Sequence, residues 1–165
     1  MKKEHIFYIL AGLGLLYFFT KPSDNSAGLL TPIGSDKPRG IRNNNPLNIR
    51  TSASNWKGKI GVDDKGFVIF DTMENGIRAA IKNIKKHYDT GADTLYVLIN
   101  RWAPPSENDT NQYIDKVTYR TGLAHDFVFP FDRGHVTKIV DAMAEVENGG
   151  NYITNQQIKT AWQSV

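Results

Sequence analysis

Cysteine is absent from this 165-residue chain, which excludes disulfides and thiolate metal sites and leaves the compartment open. Histidine is scarce, and His5, His87, His125 and His135 show no metal-ligand spacing, so no metal or other cofactor is expected. Ser106 and the other serines have no neighbouring histidine to activate them. A strong excess of one charge is also missing. The net charge is +3, and beyond residue 37 the chain holds 16 Lys and Arg against 14 Asp and Glu. A nucleic-acid binder carries a larger, clustered excess. Only Lys82, Lys85 and Lys86 cluster, on the outer face of a helix, where solvation explains them. No nucleic-acid partner is expected, and no internal repeat occurs.

What is present begins with a 14-residue apolar run, Ile6 to Phe19, preceded by Lys2 and Lys3 and ended by Thr20-Lys21-Pro22. Basic residues before an apolar stretch mark a segment read by the export machinery. As a helix it spans roughly 22 Å, short of the ~30 Å hydrocarbon core. The run ends in Tyr17-Phe18-Phe19 rather than in the small residues of a cleavage site. Interfacial aromatics and flanking lysines favour an uncleaved anchor, with a cleaved signal or a buried helix as alternatives. The expected organisation is an anchor over 1–20, a Pro-, Gly- and Ser-rich linker over 21–38 and a globular domain over 39–165. A remainder of about 125 residues is enough for one core.

Within that domain, strand-like runs Lys57–Val62 and Phe67–Phe70 flank Asp63-Asp64-Lys65-Gly66 and read as a hairpin. Asp71 and Glu74 read as a capping box opening a helix with Ile77, Ala80, Ile81, Ile84 and Tyr88 on one face. Thr94 caps a second helix, carrying Leu95, Leu98, Ile99 and Trp102, which Pro104 breaks. A third starts near 108–110 and stops at Gly122. Asp132 opens a fourth, with Val136, Ile139, Val140 and Met143, that ends at Gly149-Gly150. Thr154 caps the last. The fold class is α+β, mostly helical, with a small hairpin lobe and a crevice where it meets the helices.

Two resemblances follow from these residues. Asn45-Pro46-Leu47-Asn48-Ile49-Arg50, then Asn55-Trp56-Lys57-Gly58, Phe67-x-x-Phe70 and a helix resemble the glucosaminidase domains of the lysozyme-like superfamily, which include the flagellar peptidoglycan hydrolase. The span 39–122 also resembles phage-encoded virion or structural proteins. It shares Gly-Ile-Arg-Asn-Asn-Asn-Pro-x-Asn-Ile-Arg, Gly-Ile-Arg-Ala at Gly76–Ala79 and Arg-Trp-Ala-Pro-Pro-x-Glu-Asn-x-Thr at Arg101–Thr110. The resemblances imply a lysozyme-like domain acting on peptidoglycan, cleaving its glycan as a glycoside hydrolase or lytic transglycosylase. The other implied function is a non-catalytic virion protein that binds glycan or other virion proteins. With the apolar run, they imply a single-pass protein of a virion membrane or bacterial inner membrane, its domain exported.

Glycoside cleavage needs a carboxyl kept protonated by an apolar setting. The resemblance implies a Glu on a helix upstream of the Asn loop, yet no Glu occurs between Glu4 and Glu74. Asp63 and Asp64 stand where the resembling domains carry a hairpin-lobe acid, though Asp is also ordinary turn chemistry. Glu74 sits at a helix start, which favours its ionised form. Glu107 lies in a rigid loop near Trp102. Arg42, Asn45, Asn48 and Arg50 are candidate sugar and carboxylate ligands, or a loop satisfying its own backbone. Trp56 is a candidate stacking platform. Tyr113 is a cleft residue by resemblance and a core residue by helical spacing.

Overall fold

A computed structural model describes residues 36–106 and 108–165 and, as backbone, 9–11 and 14–16. In chain order the elements are β1 (Ile9–Ala11), β2 (Gly14–Leu16), α1 (Arg39–Arg42), β3 (Lys59–Val62), β4 (Val68–Phe70), α2 (Met73–Tyr88), α3 (Leu95–Trp102), α4 (Thr110–Thr121), α5 (Arg133–Asn148) and α6 (Asn155–Trp162).

The expected membrane-spanning helix is corrected. Among the described residues no helix is long and apolar enough to cross a membrane. Instead β1 and β2 pair antiparallel, Ile9 opposite Leu16 and Ala11 opposite Gly14. The expectation of a single-pass membrane protein, in a virion membrane or a bacterial inner membrane, falls with that helix. Gly12 and Gly14 each weaken a helix by about 1 kcal/mol relative to Ala, while Ile and aromatic residues favour strands. The rest of the proposed anchor and most of the linker lie outside the described residues.

From residue 36 onward the structure is mostly helical with one small sheet. β3 and β4 pair antiparallel, Lys59 opposite Phe70 and Val62 opposite Val68, with an irregularity between Lys59 and Gly61. The free side of β4 takes a partner from the preceding loop: Val68 N–H donates to Ile49 O and Thr51 N–H to Gly66 O, both at 2.9 Å. Phe67, Val68 and Phe70 are fully buried, which fastens the hairpin to the helices. Ile77, Ile81 and Ile84 of α2 join Leu95, Leu98 and Ile99 of α3 in the core, with Val117 of α4 and Val136, Ile139 and Val140 of α5. α6 packs on α2, where Arg78 Nε donates to Ser164 O at 2.5 Å, and α4 packs on α5.

Most helix ends follow local chemistry. Thr94, Asp132 and Thr154 accept from the backbone N–H three residues on, and Thr154 forms a full capping box with Gln157. The box expected of Asp71 and Glu74 does not form. The N-cap is Thr72, which accepts from Asn75 N–H at 3.2 Å. Asp71 instead accepts from Thr72 N–H and from Asn75 Nδ2, both at 2.7 Å. The helix starts one residue later than the pattern suggested, so its third position is Asn75.

Candidate functional site

The loop that follows α1 is built by its own asparagines. Asn45 is 1% exposed. Its Nδ2 donates to Ile49 O and Val68 O, and its Oδ1 accepts from Ile49 N–H, all within 2.9 Å. Asn44, held at a positive φ of 49°, donates to Phe70 O at 3.0 Å. Asn43 donates to Asp63 Oδ2 at 2.8 Å. These three side chains staple loop to hairpin and have little left for a ligand.

Asn48 faces the other way. Its φ is 48°, and its Nδ2 donates to Glu147 Oε2 at 2.9 Å. Glu147 sits in the last turn of α5, before Gly149 ends the helix in the left-handed conformation. Tyr113 of α4 donates its hydroxyl to Glu147 Oε1 at 2.9 Å, and Trp102 of α3 donates Nε1–H to the same oxygen at 3.3 Å. Four segments therefore meet on one carboxyl that is 2% exposed. Next to it, Asn148 Nδ2 donates to Pro46 O at 2.7 Å and fixes the end of α5 to the Asn loop.

Electrostatics follow from that burial. Burial pushes the Glu147 carboxyl up to about 7, against the hydrogen bonds from Asn48, Tyr113 and Trp102, which pull it down. Its place at the negative end of the α5 dipole acts in the same upward direction. Burial, with Glu147 alongside, holds the Tyr113 phenol well above its ordinary range, so it remains a donor. A carboxyl raised in this direction is suited to general acid–base chemistry near neutral pH.

The sequence candidates divide around this centre. Asn48 and Tyr113 belong to it, joined by Trp102. Asn45 is structural. Asp63 lies in the hairpin turn, accepting from Lys65 N–H and Phe67 N–H at 2.9 Å and paired with Arg39 at 3.7 Å. Burial raises its pKa, but those hydrogen bonds and Arg39 outweigh it, and the net shift is downward. Asp64 is exposed beside it, Glu74 is half-buried in the first turn of α2, and Arg42 is exposed at the end of α1. Arg50 stacks its guanidinium 4.5 Å from the Phe67 ring centre and donates to Lys65 O. Trp56 is half-buried against the core, its Nε1 enclosed without an acceptor. Glu107 lies outside the described residues.

Glu147 itself was missed. A signal existed: the buried stripe Val136, Ile139–Val140, Met143 continues at helical spacing to 147, where the residue is a carboxylic acid. An acid on a core stripe is rare unless paired or functional.

No protein-family model matches the chain. It is 33% identical to protein P5 of Pseudoalteromonas phage PM2 across an alignment of 174 residues, covering 99% of this chain and 97% of that protein. The chain belongs to that phage protein's family. The phage half of the expectation is thereby met at family level.

Proposed function

We propose that this member of the phage protein P5 family cleaves the glycan of peptidoglycan with a lysozyme-like arrangement in which Glu147 is the general acid. One observation carries the reading: a buried carboxyl, which burial pushes up to about 7, takes hydrogen bonds from three neutral donors, one of them in the Asn loop. The resemblance calls for a helical Glu next to that loop. Here the Glu comes from α5, which follows the loop in sequence and reaches it in space.

Protonated Glu147 would donate to the glycosidic oxygen as the bond from that oxygen to the anomeric carbon breaks. The carboxylate left behind is the form that Asn48, Tyr113 and Trp102 stabilise. It then takes a proton from the attacking hydroxyl. Among the described residues its hydrogen-bond partners are an amide, a phenol and an indole, none of them a carboxylate. One carboxyl alone suits a lytic transglycosylase, whose nucleophile is the sugar's own hydroxyl, better than a hydrolase with a second acid. The proposed partner is peptidoglycan.

The 2% exposure of Glu147 favours a second reading, a non-catalytic phage structural protein that binds glycan or other virion proteins. Purified full-length protein incubated with peptidoglycan sacculi separates the two. Release of soluble fragments with internally closed sugar ends, lost in Glu147→Gln, supports the first. Binding without release supports the second.

A further inference from the structure

Two buried amide oxygens next to Glu147, Oδ1 of Asn48 and Oδ1 of Asn148, have no hydrogen-bond donor among the described residues. They lie 3.1 and 2.5 Å from the point that a β-carbon on Gly40 would occupy, and Asn45 O lies 2.9 Å from the same point. Asn45 O already receives the Asn48 backbone N–H, whereas the two amide oxygens face a glycine Cα–H, a weak donor. Buried acceptors are normally paired, so this arrangement is one state of the site and calls for another.

The second state follows from the opposite end of the Asn48 amide. Its Nδ2 donates to Glu147 Oε2 at 2.9 Å, which suits a carboxylate. Glu147 Oε1 already receives Tyr113 and Trp102, so an added proton goes to Oε2. There the protonated oxygen is a weaker acceptor for the Asn48 N–H, and its own O–H needs an acceptor. A half-turn of the amide supplies one, because its oxygen and nitrogen ends occupy nearly the same volume.

We propose that Asn48 is a positioning residue whose side-chain amide turns over each time Glu147 takes up or gives away its proton. With Glu147 protonated, Asn48 Oδ1 accepts from Oε2–H, and Nδ2 donates toward Asn148 Oδ1. With Glu147 ionised, Nδ2 returns to Oε2. Only an O–H bond forms or breaks. The proton comes from water or from the hydroxyl that attacks the sugar, and it leaves to the glycosidic oxygen. The backbone stays in place, because Asn48 N–H is held by Asn45 O at 2.9 Å. This deepens the reading of Glu147 as a proton-exchanging group and rests on it.

The test is nuclear magnetic resonance on the labelled full chain. The Glu147 carboxyl carbon reports its titration. A nuclear Overhauser contact between the Asn48 Nδ2 protons and the Gly40 α-protons reports the amide's orientation. The contact is expected on the acid side of the Glu147 midpoint and lost on the basic side. Its absence throughout, or equal strength on both sides, overturns the proposal. Asn48→Gly adds a kinetic readout, since glycine accepts the positive φ and removes the amide together with its methylene. On soluble glycan chains, assayed well below the melting temperature of the variant, its kcat should fall on the order of tenfold to a hundredfold with KM little changed, and wild-type kcat overturns the positioning role. If the wild-type protein cleaves nothing, the enzymatic reading fails, and the Overhauser contact alone decides the turnover.

Discussion

Asn48 and Glu147 stand 99 positions apart in the chain, and a single 2.9 Å hydrogen bond joins them. Through it the loop before the hairpin and the end of α5 become one site. Its consequences can be measured on stability as well as on chemistry.

Stability should fall as pH rises from about 4.5 to about 7 because of Glu147. Its carboxyl is raised from 4.5 to about 7 in the folded protein, so the folded state binds more protons than the unfolded state across that window. The contribution is fully present below the unfolded value and lost as pH passes the folded one, a loss of order 3 kcal/mol. His87 works oppositely. Burial, with Arg101 and Lys86 nearby, lowers its pKa below 6.5, so its contribution grows as pH rises through the same region. Urea unfolding at pH 5 and pH 8 should show wild type losing stability relative to Glu147→Gln, and a pH-independent difference between the two would remove the buried acid from the account.

Tyr113→Phe should move the Glu147 titration upward. The hydroxyl favours the carboxylate, so losing it leaves the acid form populated to higher pH. The basic limb of any cleavage profile, where the general acid loses its proton, moves the same way. The stability cost is about 1–2 kcal/mol, since phenylalanine keeps the packing and Trp102 still donates to Oε1. Carboxyl-carbon titration checks the direction, and a downward shift contradicts the assigned hydrogen bond.

Gly76→Ala should be among the most damaging single changes outside the site. A β-carbon there would overlap the carbonyl oxygen of Asn44, a backbone atom held by the Asn44 amide's grip on Phe70 O. Neither α2 nor the loop can yield without breaking that staple, so the cost is about 3 kcal/mol. A thermal midpoint within a degree or two of wild type would show that the loop does not rest on α2.

Much of the architecture was readable because it is written locally. Thr94, Asp132 and Thr154 cap helices where side-chain chemistry demands, and Asp63 to Gly66 turns the hairpin. α1 was not legible, because four residues, Arg39–Arg42, are too few for a periodic signal. The apolar run Ile6 to Phe19 has helical hydropathy, but its short length and two glycines let pairing as strands compete. The site was legible only in halves. Asn48 and Tyr113 were suspected from motif likeness, which also directed the search for the acid upstream of Asn45, where no Glu exists. Packing of α5 against the loop reverses that order, and chain order carries no information about such a contact until the tertiary structure is known. Trp102 packs against the core as its stripe position implies, while its Nε1–H finds its acceptor in Glu147, which the stripe does not reveal.

The hairpin acids supply the last test. Asp63 accepts two backbone N–H groups of its own turn and the Asn43 amide, so its carboxylate acts as a structural acceptor. Asp63→Ala should lower stability by about 2 kcal/mol by leaving those donors without a partner. The Asp63 pKa is depressed in the folded state, so its contribution is present above the unfolded value of 3.8 and lost as pH falls through the folded one. The difference between wild type and variant should therefore shrink in strong acid and hold constant from pH 5 to 8. Asp64→Asn, at an exposed turn position, should change neither stability nor cleavage. If folded Asp63→Ala protein, assayed well below its melting temperature, loses cleavage as fully as Glu147→Gln, then the second acid lies in the hairpin after all and the single-carboxyl chemistry fails.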